Sequence, residues 1–529
     1  MKIKFIVIIC ALLLSACNTI QNKSTPTSDV SPINSPKLLV VEQPPALQVC
    51  HAQEGPIDPE SYGDAWQRVS QQLSLEVPDN RRVRAQKSWY VNHLSYLKRV
   101  TKRAEPYLYF IVNELEKRNL PLELALLPIV ESAYDPFAYS HGRASGMWQF
   151  IPGTGKGYGL KQNWWYDGRR DVFLSTHAAL DYLSYLNKRF KGDWLLALAA
   201  YNSGQGNVSK AIRRNKKKGK PTDFWSLKLP RETKAYVPKL LALAEILRSR
   251  KEANIAWTEV KNQPYFVRVP TDVQIDLSLA ADLSEQSMQD FYRINPAFNH
   301  WATPPKGPHY LLIPIDKAET FEHNLKTIPN GERIAYKRYK IKQGDSLISI
   351  ANKYSTTVEL LKSTNNIRKN RIRAGKSLLI PVASKHREKY SKSNQQRLLA
   401  KQNTKRAGNR KSITVANGDS FWTISRRYKV NLRSLASWNN MAPTDTLKAG
   451  QKLVLWTKQP VAQTALMDYQ QKTRKIHYKV RNGDSFARIA SKFNVSLNKI
   501  KTWNKSLSRN KYLQPGQSLT LFVDITKQF

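Results

Sequence analysis

Glu131 is the residue of this chain whose type and setting best suit acid–base chemistry. It ends an apolar run that extends over residues 124–130 and is interrupted by a single proline. A carboxyl group at the end of so apolar a helix is expected to be partly desolvated, which disfavours its charged form and raises its pKa. A glutamic acid with a pKa near neutrality can act as a general acid. The alternative is a Glu131 that points into water, the usual position of an isolated acid.

Other chemical groups near this acid have simpler explanations. Asp135 follows Glu131 by four residues, but Pro136 is expected to end the helix there. Asp167 and Asp171 flank two arginines and are predicted to form a salt-bridged turn and a helix N-cap. The glycine-rich stretch 153–159 lacks the spacing of a phosphate loop and is predicted to be a flexible surface loop. No paired Cys/His or His-Glu-x-x-His spacing occurs, so we predict no metal and no cofactor.

The elements that must position Glu131 are helical. Apolar residues recur every three or four positions over residues 172–190, with Asp171 as the predicted N-cap. Asp193 is predicted to cap the strongly apolar segment Trp194–Tyr201, which is expected to be buried core. We therefore predict an all-α domain at residues 58–250.

The second half of the chain contains a threefold repeat. Each copy has an alternating strand, a Gly-Asp-Ser turn, two short helical segments and a glycine turn before a second strand. An asparagine follows the first glycine of each copy by 21 residues. The pattern predicts a βααβ module, in which the aspartate or the serine caps the first helix. The turns are Gly344-Asp345, Gly418-Asp419 and Gly483-Asp484.

The repeat fixes the predicted organisation of the C-terminal half. Residues 265–315 have a related order of elements without the Gly-Asp-Ser turn and are a possible degenerate copy. The intervening stretches are polar and basic, and we expect them to be extended linkers. The modules are predicted at 338–382, 412–457 and 476–523, and the linkers at 383–411 and 458–475.

The N-terminus indicates export and lipidation. Residues 1–16 combine a basic start with a short apolar run and predict a signal peptide. Leu14-Ser15-Ala16-Cys17 is similar to a bacterial lipobox, which implies a lipid on Cys17 and, with Asn18, an outer-membrane location. The alternative is an ordinary signal peptide that is cleaved nearby. Residues 17–57 are rich in Ser, Thr, Pro and Asn and are predicted to be a flexible tether.

The net charge of +45 over 529 residues favours an anionic partner. Export argues against nucleic acid and leaves the cell wall and anionic lipid as the large polyanions, with colloidal solubility as the alternative. Of three cysteines only Cys50 lies outside the signal and the anchor, so no intrachain disulfide framework is possible.

Four segments occur in the order seen in lytic murein transglycosylases of the lysozyme-like superfamily. The repeats resemble the LysM module in motif, order and length. The resemblance implies a lysozyme-like domain that cleaves the β-1,4 bond between N-acetylmuramic acid and N-acetylglucosamine, and LysM repeats that bind the glycan beside their Gly-Asp-Ser turns. The four segments are Glu131-Ser132, Gly146-Met147-Trp148-Gln149, Ala200-Tyr201-Asn202-Ser203-Gly204 and Glu232-Thr233-Lys234-Ala235-Tyr236-Val237.

The resemblance also implies the roles of individual residues. Glu131 protonates the leaving oxygen and then takes the proton of the C6 hydroxyl, which gives a 1,6-anhydromuramoyl end without water. Tyr201 is expected near its carboxylate, and Gln149 to hydrogen-bond the sugar. Each supporting residue has a structural alternative as a core residue or a helix cap. The supporting residues are Ser132, Ser140, Met147, Gln149, Tyr201, Asn202 and Tyr236.

Two further points remain open in the sequence. The family more often has Leu-Met where this chain has Met147-Trp148, so the larger Trp148 alters the expected cleft wall. A second catalytic carboxylate would indicate a lysozyme-like hydrolase, and an inactive domain would indicate a cell-wall tether. A nucleic-acid binder would not explain the lipobox. We expect a monomer that faces the periplasm, with peptidoglycan strands as its partner.

Overall fold

The computed structural model describes residues 62–457, apart from positions 254 and 256, and residues 473–524, apart from 494, 505 and 508–512. The predicted signal peptide, Cys17, the tether at 17–57 and most of the linker at 458–475 lie outside these residues. No helix in the described part of the chain is long and apolar enough to cross a membrane.

The N-terminal domain is helical because apolar residues recur along its segments and polar side chains cap them. Asp171 accepts a hydrogen bond from the Leu174 amide at 2.7 Å, and Asp193 accepts one from the Leu196 amide at 2.9 Å, as the sequence predicts. The helices are α1 (Ala65–Gln71), α2 (Arg81–Val91), α3 (Leu94–Ala104), α4 (Leu108–Glu116), α5 (Leu127–Ser132), α6 (Pro152–Gly157), α7 (Val172–Arg189), α8 (Trp194–Ser203), α9 (Gln205–Lys216) and α10 (Arg231–Ser249).

Helix α10 organises this domain. It packs against α1, α2, α5 and α8, and most of its apolar side chains are buried. Helix α8 is apolar on all sides, as expected for a helix at the centre of a domain. These two helices carry the residues that face Glu131.

The prediction of a flexible loop at 153–159 is wrong. Pro152 occupies the first turn of α6, where a proline favours helix and its missing N–H costs nothing. Gly155 is buried, and a Cβ there would lie 3.1 Å from Cγ of Arg169. This glycine therefore serves close packing, which the sequence pattern does not distinguish from flexibility.

Four small units follow, and in each of them two antiparallel strands enclose two short helices. The predicted fold class, an all-α domain followed by βααβ units, is confirmed. The units comprise β1 (Phe266–Pro270), α11 (Leu277–Leu283), α12 (Met288–Ile294) and β2 (Tyr310–Pro314), with α13 (Ala318–Thr327) after them; β3 (Ala335–Lys340), α14 (Leu347–Tyr354), α15 (Val358–Thr364) and β4 (Ser377–Val382); β5 (Asn409–Thr414), α17 (Phe421–Arg427), α18 (Leu432–Trp438) and β6 (Lys452–Thr457); and β7 (Thr473–Lys479), α19 (Phe486–Lys492), α20 (Leu497–Trp503) and β8 (Ser518–Asp524).

One asparagine joins helix and strand in every unit. In the second repeat the Asn439 amide donates to the carbonyls of Leu435 and Val454, and its oxygen accepts from the Val454 amide at 2.8 Å. Asn365 and Asn504 make the equivalent bonds. Asn295 makes them in the first unit, which lacks the Gly-Asp-Ser turn. The shared asparagine therefore marks the first unit as a variant of the same module.

The segment 383–411 differs from the extended linker that we predicted. It contains α16 (Asn394–Asn403) and a buried tyrosine, Tyr390, which is 2% exposed. The Tyr390 hydroxyl and the Ser384 amide both donate to the Asp276 carboxylate, at 2.8 and 2.9 Å. The buried Tyr390 ring, whose hydroxyl is hydrogen-bonded, holds the segment against the first βααβ unit. The prediction of an extended linker was based on the average composition of the segment, in which one tyrosine has little weight.

Candidate active site

Glu131 lies in the last turn of α5. Ala133 and Tyr134, directly after this helix, both have left-handed backbone conformations, with φ of 55° and 54°, and so end it abruptly. Tyr134 is buried and its hydroxyl donates to the carbonyl of Ala125 at 2.5 Å. This anchored reversal fixes Glu131 at the end of a buried helix, where its own side chain is half-buried.

The carboxyl group of Glu131 has a strongly altered acidity. Burial raises its pKa to about 7, and the negative charge of Glu232 acts in the same direction. A hydrogen bond from the Tyr236 hydroxyl to Oε1 and the positive charge of Lys239 lower it. A carboxyl group with these properties is present in both protonation states near neutral pH, as acid–base catalysis requires.

Two tyrosines border this carboxyl group. Tyr236, on α10, is its direct hydrogen-bond partner. Tyr201, on α8, donates its hydroxyl to the backbone carbonyl of Trp148 at 2.8 Å. Burial raises the pKa of both tyrosines, and the charge of Glu131 raises both further, which places both phenols in its electrostatic surroundings. Both tyrosines therefore remain neutral donors at physiological pH.

The segment Gly146–Phe150 folds against the other side of the site. Gly146 has a φ of +84°, and a Cβ there would lie 1.9 Å from the carbonyl oxygen of Arg169. The Ser132 hydroxyl donates to the carbonyl of Met147 at 2.8 Å and so ties this loop to the helix that carries Glu131. Gln149 donates its side-chain amide to the carbonyl of Gly146 at 2.8 Å. Only glycine at position 146 permits this approach.

The positions of Met147 and Trp148 resolve the departure from the family pattern. Both side chains are buried, and the Trp148 indole donates to Thr176 Oγ1 at 3.0 Å. Trp148 therefore faces the core of the domain, and only its backbone carbonyl is turned toward Tyr201. The larger side chain does not form the wall of the site.

Ser140 and Asn202 have local partners. The Ser140 hydroxyl accepts from the Ala144 amide at 3.0 Å and closes the turn between them. Asn202 Oδ1 accepts from the Thr233 hydroxyl at 2.8 Å and links α8 to α10. Asn202 lies beside Tyr201 in sequence, and Thr233 lies one turn before Tyr236. The pair therefore fixes the relative position of the helices that carry the two tyrosines.

The rival carboxylates are engaged elsewhere. Asp135 accepts from the Phe137 amide at 2.9 Å. Asp167 forms a salt bridge with Arg169 at 2.8 Å, and Asp171 accepts from two tyrosine hydroxyls besides capping α7. Sequence reasoning missed Glu232, Thr233 and Lys239, although the first two lie in the quoted Glu232–Val237 segment. Lys239 follows Tyr236 by three residues in the same helix, which places both side chains on one face. That spacing would have been the signal for Lys239.

The Gly-Asp-Ser turns of the three repeats are built alike. Gly344, Gly418 and Gly483 have φ between +82° and +84°, a conformation that favours glycine. Asp345, Asp419 and Asp484 close their turns by accepting backbone amide hydrogens at 2.8–2.9 Å. The following serine caps the helix, as Ser346 does for α14. Of the two capping residues that the sequence allowed, the serine is therefore the one used, and the aspartate stabilises the turn.

Three family profiles match the chain. The Transglycosylase SLT domain matches residues 108–224. The profile described as Lytic transglycosylase MltD, LysM-like domain matches residues 265–330. The LysM domain matches residues 339–381, 413–456 and 478–522.

The chain is also similar to curated proteins and solved structures. It is 40% identical over 408 residues to the membrane-bound lytic murein transglycosylase D of Escherichia coli strain K12, which covers 75% of this chain and 86% of that protein. It is 43% identical over 188 residues to a putative tributyltin chloride resistance protein of Alteromonas sp. strain M-1, over 36% of this chain and 88% of that one. An inactive mutant of the lytic transglycosylase Slt of Pseudomonas aeruginosa is 25% identical, with 28% and 25% of the two chains covered and a TM-score of 0.22.

Proposed function

The chain belongs to the family of membrane-bound lytic murein transglycosylase D, and we propose that Glu131 is the single acid and base of its reaction. The protein is a lytic transglycosylase, and its LysM repeats bind peptidoglycan. The observation that carries the assignment of Glu131 is its position in the last turn of α5, with the Tyr236 hydroxyl bonded to Oε1. Burial in this position raises its pKa to about 7.

The first step is a proton transfer from Glu131 to the glycosidic oxygen. The Tyr236 hydroxyl donates a hydrogen bond to Oε1 of Glu131, so we assign the proton that is transferred to Oε2. As the bond between C1 of N-acetylmuramic acid and this oxygen breaks, the proton of Glu131 neutralises the leaving alkoxide. Positive charge then develops on the muramoyl ring, and the newly formed carboxylate stabilises it.

The second step returns the proton to Glu131. The C6 hydroxyl of the same muramoyl ring attacks C1, and its proton moves to the Glu131 carboxylate. A C1–O6 bond replaces the glycosidic bond, so the products are a free 4-hydroxyl on N-acetylglucosamine and a 1,6-anhydro end. No water is consumed. One carboxyl group suffices for both steps because its pKa lies near the working pH.

The residues around Glu131 position the sugar and the loop. We assign sugar contact to Tyr201, which donates to the carbonyl of Trp148, and to Gln149, the next residue after Trp148. Ser132 and Asn202 act as positioning residues through Met147 and Thr233. Met147 holds the loop through its backbone carbonyl, and Ser140 closes the turn that precedes the loop. The support for these roles is the hydrogen bonding described above.

The glycan lies beside the Gly-Asp-Ser turns of the LysM repeats in this proposal. The turns at Gly344-Asp345, Gly418-Asp419 and Gly483-Asp484 present backbone groups, since their aspartates are used within the turn. Three weak sites on one chain raise the effective concentration of the enzyme on a polymeric substrate.

We further propose that the protein is a monomer held at the outer membrane by a lipid on Cys17 and faces the periplasm. The support is the lipobox sequence together with the membrane-bound relative. Metabolic labelling with a fatty-acid probe should mark the wild-type chain and not Cys17→Ser. Unchanged labelling of Cys17→Ser would contradict the anchor.

Mass spectrometry of muropeptides released from purified sacculi tests the proposed reaction. The full chain, purified in detergent, should release anhydromuramoyl products, whereas Glu131→Gln should bind sacculi and release none. Glu245→Gln, at a partly exposed acid on the outer side of α10, is the matched control. Reducing-end products would indicate a hydrolase with a second carboxylate. Sacculus binding without release by the wild type would indicate a cell-wall tether.

A further inference from the structure

A cavity of about 320 Å³ lies where the catalytic domain meets the LysM region. Phe137 and Arg170 line it from the catalytic domain, and Asn299 lines it from the first βααβ unit. Arg397 of α16 and Met441 of the second repeat complete it. No role in the reaction described above uses this cavity.

Arg170 is a buried cation that forms no salt bridge with an acid in the described part of the chain. It is 7% exposed, and one nitrogen, Nη2, donates to the carbonyl of Ala297 at 3.2 Å and to Asn299 Oδ1 at 2.5 Å. Its Nε is buried and makes no hydrogen bond to any described residue. Asp171, the next residue, accepts from two tyrosine hydroxyls and a backbone amide, and Asp167 accepts from Arg169 with both carboxylate oxygens, at 2.9 and 2.8 Å. The guanidinium of Arg170 therefore has unused donor capacity.

Arg397 is a second cation at the same cavity. Its guanidinium lies 5.2 Å from the centre of the Phe137 ring, and it donates to the Lys392 carbonyl and to Asn394 Oδ1. Burial and the charge of Arg170 both lower the pKa of Arg397. Placing two guanidinium groups close together in a partly desolvated site costs free energy, because like charges repel, unless an anion binds between them.

The remaining charges do not cancel this excess. Lys392 lies 5.8 Å from the centre of the Phe137 ring and adds a third cation. Asp135 acts on Arg397 from a distance and accepts from the Phe137 amide, and Asp167 forms a salt bridge with Arg169 while its charge also acts on Arg170 and Arg397. Four cations, Arg169, Arg170, Arg397 and Lys392, therefore face two acids, which leaves an excess of positive charge. The cavity is an electropositive place with unsatisfied planar donors.

We propose that this cavity binds a carboxylate of an acidic peptide, with Arg170 and Arg397 as its two ligands. Planar guanidinium groups match the two oxygens of a carboxylate, and such charged hydrogen bonds are among the strongest in proteins. Arg170 contributes its guanidinium, which lines the cavity, and Arg397 exchanges its local amide and carbonyl partners for the anion.

The cavity lies near the segment that carries Glu131 and Gln149, which favours the peptide of peptidoglycan as the source of the carboxylate. Phe137 and Tyr139 lie on the segment that runs from Glu131 to Gln149. The Gln149 amide donates to the carbonyl of Ala138, between those two residues, at 3.4 Å. Peptidoglycan carries acidic peptides on its muramic acid. The cavity would therefore bind the peptide while the site around Glu131 binds the glycan. This inference rests on the proposed function and adds a preference for peptide-bearing strands.

Isothermal titration of the full chain in detergent tests the site directly. The probe is the dipeptide L-alanyl-D-glutamate, with its diamide and inorganic phosphate as comparisons. We expect the dipeptide to bind, the diamide not to bind, and Arg397→Gln to weaken dipeptide binding at least tenfold. Lys401→Gln, which removes an exposed charge from the same helix, should bind like the wild type. Equal binding of the diamide, or no effect of Arg397→Gln, would overturn the proposal.

Further measurements test the identity of the anion, the need for two guanidinium groups and the independence of the site from the reaction at Glu131. Phosphate that binds more tightly than the dipeptide would overturn the assignment to peptide. Arg397→Lys keeps the charge but loses the planar fork, so it should fold and still weaken binding several-fold; unweakened binding would contradict the two-guanidinium site. Glu131→Gln should bind the dipeptide like the wild type, so a failure of the proposed reaction leaves this result intact.

Kinetics then connect the site to the substrate. The ratio of kcat/KM on peptide-bearing sacculi to kcat/KM on peptide-free glycan should fall about tenfold in Arg397→Gln. An equal ratio in the wild type and in Arg397→Gln would show that the cavity does not bind the peptide of the substrate.

Discussion

The hydroxyl of Tyr236 on α10 donates a hydrogen bond to Oε1 of Glu131 on α5, across 105 residues of chain. Burial alone raises the pKa of this carboxyl group, while the phenol stabilises its charged form and lowers the pKa again. The two opposing effects leave the pKa at about 7. The acidity of Glu131 is therefore set jointly by its position at the end of α5 and by α10, which packs against α5.

Tyr236→Phe should raise the pKa of Glu131, because it removes the hydrogen bond to the carboxylate while burial remains. The acid–base limb of the pH profile of kcat/KM should move to higher pH, and kcat/KM should fall by about 10- to 100-fold. Tyr185→Phe, which removes the hydroxyl of an exposed tyrosine bonded to Gln205, is the control. A Tyr236→Phe profile that moves to lower pH would contradict the assignment.

Glu131→Gln should stabilise the protein at high pH. The folded pKa of about 7 lies above 4.5, the ordinary value of a glutamic acid, so the folded state binds more protons and wild-type stability falls as pH rises from about 4.5 to 7. The shift corresponds to about 3 kcal/mol. The melting temperature of Glu131→Gln should exceed that of the wild type by several degrees at pH 8 and match it near pH 4. Glu252→Gln, at an exposed acid, should show no such pH-dependent gain.

Gly146→Ala should destabilise the catalytic domain by about 2–4 kcal/mol, through both a left-handed backbone and a clash with the Arg169 carbonyl. Gly153→Ala is the matched control, since it lies in the first turn of α6 with no atom within 4 Å of its new Cβ. Chemical denaturation followed by tryptophan fluorescence measures both. Equal stability of the two variants would contradict the packing described for the loop.

The second repeat should separate from the catalytic domain when its ion pair is reversed. Arg143 Nε lies 2.8 Å from Asp445 Oδ1, and Tyr139 donates to the same carboxylate at 3.4 Å. Asp445→Lys should increase the radius of gyration measured by small-angle X-ray scattering, and the second change Arg143→Asp should restore it. Lys448→Glu, at an exposed position of the same repeat, is the charge-change control. An unchanged radius in Asp445→Lys would show that the pair does not hold the units together.

Most of the elements could be predicted from local sequence patterns. Helical periodicity, caps such as Asp171 and Asp193, and the threefold repeat are local patterns, and local hydrogen bonds and backbone preferences decide them. The same reasoning made Glu131 a candidate acid, but an acid at the end of an apolar run can also point into water, and the four family segments favoured the catalytic interpretation. It failed at residues 153–159 and at 383–411, where a single packed residue, Gly155 or Tyr390, outweighs the average composition.

The hydrogen-bond partners of the site residues could not be predicted from the sequence. Tyr236 binds Glu131, Tyr201 donates to the carbonyl of Trp148, and Tyr390 binds Asp276, at sequence separations of 105, 53 and 114 residues. A pKa and a hydrogen bond depend on distances of a few ångströms between groups that packing brings together. The sequence names the groups that can do chemistry, but the packing of α10 and α8 around α5 decides which of them meet.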